Sequence, residues 1–259
     1  MWSTGQVRFR RRGLPDGWLD IVRDSVAIWA VFDTEERAVL EATADWLLSR
    51  KHWEAAQGFA LTDEITVTIA ALASVPLLRL EVEEYREVSA IVLFPSAIEK
   101  RQVIPGPARG TLTERDVTLT GEANPQRGPV LIAWDEAREE ARTPGTGRNV
   151  VYHEFAHKLD MFDHALDGTP SLPTRDQRRR WFAVCTEVYV DLRRGAARPP
   201  LQPYGATNPA EFFAVATEAF FDVPLQLEEN EPNLYHVMGD FFRQDPADRL
   251  RRRGVGMAR

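Results

Sequence analysis

The 259-residue chain predicts an α+β fold: mostly helical, with a small mixed sheet packed on one apolar helix. Three observations lead there. Apolar residues recur at three-and-four spacing through the first and last thirds of the chain, the period of helices with one buried face. The middle changes to short runs rich in Val, Ile and Leu, bounded by Pro and Gly, which is strand and turn chemistry. A content of 44% hydrophobic and 27% charged residues is that of an ordinary globule, which excludes wholesale disorder and collagen-like repeats. A chain this long can bury an adequate core without disulfides.

Taken in order, residues 16–31 place Trp18, Leu19, Val22, Val26 and Trp29 on one helical stripe. Asp33 followed by Glu36 forms a capping-box pattern that opens a second helix, running to about Arg50 with Val39, Leu40, Trp46 and Leu47 among its apolar positions. A third helix starts near Thr62, carries Ile65, Ile69 and Leu72, and should be disturbed by Pro76. Residues 88–94 read as a strand stopped by Pro95, 111–120 alternate loosely, and 129–134 (PVLIAW) read as a short buried strand. The intervening GEANPQRGP is loop chemistry. Helices are expected again over 149–161, 174–193, 209–222 and 233–243. The expected division is a helical N-terminal part, 1–85, and a second part, 86–259, forming one compact unit.

Charge and cysteine content narrow the function. Thirty-two basic against 39 acidic residues give a net charge of −7, so there is no general electrostatic reason to bind nucleic acid or an anionic membrane. The Arg-rich ends, RFRRRG and RLRRRGVGMAR, read as solvated termini. One cysteine, Cys185, excludes an internal disulfide and a Cys-rich metal site. The N-terminal basic residues are not followed by an apolar run, and the longest apolar stretch, 65–80, is interrupted by Thr66, Thr68, Ser74, Pro76 and Arg79. The expected location is therefore the cytoplasm.

Any metal must be held by His, Asp or Glu, and there are only five histidines. Two of them stand in Asn149-Val150-Val151-Tyr152-His153-Glu154-Phe155-Ala156-His157-Lys158-Leu159-Asp160, which contains H-E-x-x-H. On a helix four residues advance about one turn, so His153 and His157 share a face and can bind one Zn²⁺. Glu154 can lean over the open side of the ion and accept a proton from an attacking water. The flanks, Val150, Val151, Phe155, Ala156 and Leu159, are apolar. Two imidazoles and a carboxylate on a buried helix would be costly without a shared partner. One Zn²⁺ per chain is the expectation.

A third protein donor is needed. Asp163 stands six residues after His157 and His164 seven, near where some H-E-x-x-H proteins place theirs, although Asp160 occupies the position of the turn glycine. The favoured candidate lies in the apolar segment Asn208 to Phe221, where Asn208 suits an N-cap and Pro209 the first helical position. Glu211 could simply close a capping box on Asn208. It and Glu218, two turns on, are however the only acids in that run. Glu211 is read as the ligand and Glu218 as the carboxylate that orients a ligand imidazole. Tyr204, just upstream, could hydrogen-bond a developing oxyanion or be an ordinary loop tyrosine. Asp160 could orient an imidazole, bond Lys158 or face solvent.

At these residues the sequence resembles the Mlc titration factor A family of bacterial zinc peptidases. The matching phrases are GRNVVYHEFAHKLDM, LTGEANPQRGPV and YGATNPAEFFAVATEAFF, within a likeness spanning roughly 14–250. The resemblance implies a zincin-like catalytic part of the gluzincin type, similar to that of anthrax lethal factor. It implies His153, His157 and Glu211 as ligands, Glu154 as general base and Tyr204 as auxiliary phenol. It also implies aminopeptidase-like hydrolysis of a peptide or protein substrate, and binding to a sugar-responsive transcriptional repressor of the Mlc type. The alternative is a non-catalytic regulator that sequesters such a repressor and retains zinc. Residues 111–130 would offer a sheet edge for an extended peptide.

Overall fold

The computed structural model describes residues 7–9, 13–56, 58–96, 98–105, 112–119, 121–123, 128–161, 166–196 and 198–254. Helix α1 (Trp18–Ser25) is followed by a 3-10 helix, Ala27–Val31. The single helix expected over 16–31 is thus broken at Val26, whose backbone leaves the helical region while its side chain stays in the core. Helix α2 (Thr34–Arg50) opens with the expected Asp33–Glu36 capping box, both halves formed. Helix α3 (Asp63–Ser74) is capped by Thr62 and ends just before Pro76, and every residue from Ile65 to Ser74 is buried. A helix buried on all sides belongs at the centre of a molecule, and α3 occupies it.

The main sheet has five strands. Its middle is parallel: β2 (His52–Ala55), β3 (Ala90–Phe94) and β7 (Val130–Ala133), with Trp53 opposite Ile91 and Ile91 opposite Val130. Antiparallel strands close it on both sides, β1 (Val7–Phe9) against β2 and β6 (Gly121–Ala123) against β7. Strands β4 (Ile98–Pro105) and β5 (Leu112–Leu119) form a separate antiparallel pair. The expected strands at 88–94 and 129–134 are present. The GEA of the expected loop is instead a strand, because backbone pairing with β7 needs no apolar side chains.

The remaining helices are α4 (Trp134–Arg142), α5 (Val150–Asp160), α6 (Arg175–Arg193), α7 (Pro209–Asp222), α8 (Pro224–Asn230), α9 (Pro232–Phe242) and α10 (Pro246–Arg252). Helix α5 packs on α7, α3 and the β6–β7 edge of the sheet. Behind α7 an aromatic cluster of Phe213, Phe220, Phe221, Phe241 and Phe242 fills the space to α9 with edge-on and stacked rings. The fold is therefore mostly helical with a small sheet. No helix among the described residues is long and apolar enough to cross a membrane.

Candidate metal centre

Asn149 caps α5, its side chain accepting the Tyr152 N–H at 3.0 Å. One turn in, His153 and His157 stand side by side, ring centroids 4.9 Å apart and nearly perpendicular. Asn208 caps α7 through the Glu211 N–H at 3.0 Å, with Pro209 in the first turn. The carboxylate of Glu211 is turned to the imidazoles. Its Oε2 lies 3.0 Å from His153 Nε2 and 3.6 Å from His157 Nε2.

These three residues have donor atoms within 4.8 Å of one another, a group that could hold a metal ion. The spacings suit a tetrahedral ion, since two donors about 2.0–2.1 Å from such a centre lie about 3.3–3.4 Å apart. The polar environment suits one as well. Glu218 accepts from His153 Nδ1 at 2.7 Å, which makes that nitrogen a donor and leaves Nε2, on the Glu211 side, as the ring atom that could face an ion. Two buried atoms beside the group, Glu154 Oε2 and His157 Nδ1, have no hydrogen-bond partner among the described residues.

Electrostatics follow from burial and proximity. Burial alone would depress the His153 pKa, but hydrogen bonds to Glu211 and Glu218 outweigh it and raise it to about 10. Burial opposes ionisation of Glu211, yet the two imidazoles hold it down at about 2. His157 is lowered by burial. Burial pushes Glu154 up to about 8 against the pull of His153 and Lys158. Tyr204 sits on a 3-10 turn, Pro203–Ala206, 58% exposed, with its ring 6.0 Å from that of His153. Partial burial and the neighbouring Glu211 raise its phenol to about 12.

The structure therefore brings His153, Glu154, His157, Tyr204, Glu211 and Glu218 together. Asp160 is placed elsewhere. Its oxygens accept the Gly168 and Thr169 N–H groups at 2.9 and 2.8 Å, so it neither orients an imidazole nor bonds Lys158 nor faces solvent. Lys158 Nζ donates instead to the Gly128 carbonyl at 3.0 Å, joining α5 to the backbone two residues before β7. Asp163 and His164 lie outside the described residues, as do 111, 120 and 124–127 of the expected docking edge.

Sequence reasoning missed two carboxylates that set α5 in place. Glu140 accepts the Val150 N–H at 2.6 Å, and Asp222 accepts those of Gly145 and Gly147 at 3.0 and 2.7 Å. For Asp222 a signal existed. Glu211, Glu218 and Asp222 follow one another by seven and four residues, which on a helix returns each to within about 20° of the first. Glu140 had none, standing in a run of surface charges.

The family model of a glucose-regulated metallo-peptidase, M90, matches residues 1–243. The chain is 34% identical over 239 residues to an uncharacterized protein of Synechocystis sp., covering 91% of this chain and 86% of that one. It is 31% identical to Mlc titration factor A of Pectobacterium atrosepticum, covering 88% of this chain and 86% of that one. To Mlc titration factor A of Salmonella typhi it is 30% identical, over 84% and 82% of the two chains.

Proposed function

Because the chain belongs to the glucose-regulated metallo-peptidase M90 family, we propose that it is a zinc-dependent peptidase of zincin-like, gluzincin-type architecture. The observation that carries this reading is the meeting of His153, His157 and Glu211 with Glu154 beside them. His153, His157 and Glu211 would hold the ion. When bound, zinc supplies a Lewis acid that lowers the pKa of water from about 15.7 toward 7 and polarises a carbonyl. Glu154 takes the proton of the attacking water and passes it to the leaving amine. Tyr204 donates its phenolic hydrogen to the oxyanion that develops on the scissile carbonyl. Glu218 holds the His153 ring through Nδ1.

The substrate is a peptide or protein, cleaved in an aminopeptidase-like manner. Strand β6 is an edge strand packed against α5, and supports docking of an extended peptide by backbone pairing. The relatives named Mlc titration factor A support a second role, binding of a repressor of the Mlc type. Glu154→Gln separates the roles. Zinc should stay at one per chain while peptide hydrolysis falls by about 10²–10⁴-fold. Unchanged turnover removes the proposed mechanism. A variant that hydrolyses nothing yet binds the repressor as wild type does assigns repressor binding to a separate function. If the wild type holds zinc and cuts no peptide in a library digest, the non-catalytic regulator is the correct reading.

A further inference from the structure

Helices α5 and α7 run antiparallel, and they are tied at both ends with the metal group between. At one end Glu218 and Asp222, late in α7, accept backbone N–H groups of residues 145–149 before α5. The other tie has a different construction. Asp160, the last residue of α5, is fully buried and turns its oxygens to the N–H groups of Gly168 and Thr169. Gly168 has φ +78, and a Cβ there would stand 2.3 Å from the carbonyl oxygen and 2.6 Å from the carbonyl carbon of Pro209. Pro209 begins α7, two residues before Glu211. Trp181 of α6 closes the junction, donating Nε1–H to the Gly168 carbonyl at 3.1 Å.

Resting on the metal-site reading above, we propose that Asp160 and Gly168 form a positioning clasp that sets the Glu211 carboxylate against the two imidazoles. The reason is steric. Only a residue without a side chain lets the 168 backbone lie against Pro209, and only an acceptor with two free oxygens holds the two adjacent N–H groups there. The last turn of α5, one turn beyond His157, is thereby fixed to the first turn of α7. Movement of Pro209 by the width of a methyl group carries Glu211 with it, because the two share a helical turn.

The test is zinc affinity by competition with a chelator, together with the visible spectrum of the cobalt(II)-loaded chain. It compares wild type with Asp160→Asn, Trp181→Phe and Gly168→Ala. Asp245→Asn serves as control; that carboxylate caps α10 and bonds Tyr235, and makes no hydrogen bond to His153, His157, Glu211 or the clasp. The clasp variants should weaken zinc by about tenfold or more and alter the cobalt bands, with Gly168→Ala the most severe. The control should lower thermal stability and leave affinity and spectrum as in wild type. Asp160→Asn and Trp181→Phe are the gentler changes, so the comparison does not depend on Gly168→Ala folding. Folded clasp variants with wild-type affinity and unaltered cobalt bands overturn the proposal and leave the metal site intact. A wild-type chain that binds no zinc overturns the metal-site reading itself, and the clasp with it.

Discussion

Glu218 shows how much a single carboxylate can fix. One oxygen sits on His153 Nδ1, and the other accepts the Asn149 N–H at 2.7 Å, at the point where α5 begins. It therefore sets both the tautomer of His153 and the start of the helix that carries it. Glu218→Gln should weaken zinc by about 10–100-fold, measured by chelator competition, while circular dichroism stays near wild type. At this scale the sequence was informative wherever chemistry is local. His153, Glu154 and His157 are legible because four residues make one helical turn, and Glu211 because an acid in an apolar helix needs a reason. Asp160 was not legible, because the groups it bonds are backbone N–H donors on a loop eight and nine residues away, and such donors carry no residue signature.

The stripe of Glu211, Glu218 and Asp222 makes α7 the element that organises the site. Read from its N-terminus, the helix offers a carboxylate to the imidazoles, then one to the back of His153, then one to the Gly145–Gly147 turn. Asp222→Ala strands two backbone donors, one of them buried, and should cost about 1–3 kcal/mol in denaturant unfolding. Zinc affinity should fall less than for Glu218→Gln, because Asp222 touches no imidazole. Longer helices such as α2 and α6 were readable from their apolar spacing and capping signals, and so were the buried strands β3 and β7. The short ones were not. Strand β2 has four residues, and β6 is Gly-Glu-Ala; each is extended because its neighbour in the sheet offers hydrogen bonds. The break at Val26 was hidden too, since a 3-10 turn keeps nearly the same residues inward as the α-helix it replaces.

At the scale of the molecule, the site lies where buried carboxylates gather around α5, and this has a cost that depends on pH. Burial raises Glu140 to about 7, partly offset by the Val150 N–H and reinforced by Glu218. The folded chain therefore holds a proton there that the unfolded chain releases at its ordinary value of 4.5. Its contribution to stability is fully present below that value and is lost as pH rises through about 7. Glu140→Gln keeps an acceptor for Val150 and removes the titration. The expected result, in chelator-treated protein unfolded by urea, is that the variant loses up to about 1.4 kcal/mol per pH unit of the wild-type decline between pH 5 and 7. Zinc saturation should act oppositely, adding about 4 kcal/mol at a free concentration a thousand times the dissociation constant. The most direct test of the account is equilibrium dialysis against zinc, with His157→Ala and Glu211→Ala beside the wild type. One tightly held ion per wild-type chain, lost in both variants, is the expected result; a wild type that retains none, or variants that retain it undiminished, would contradict the convergence of α5 and α7 on a single cation.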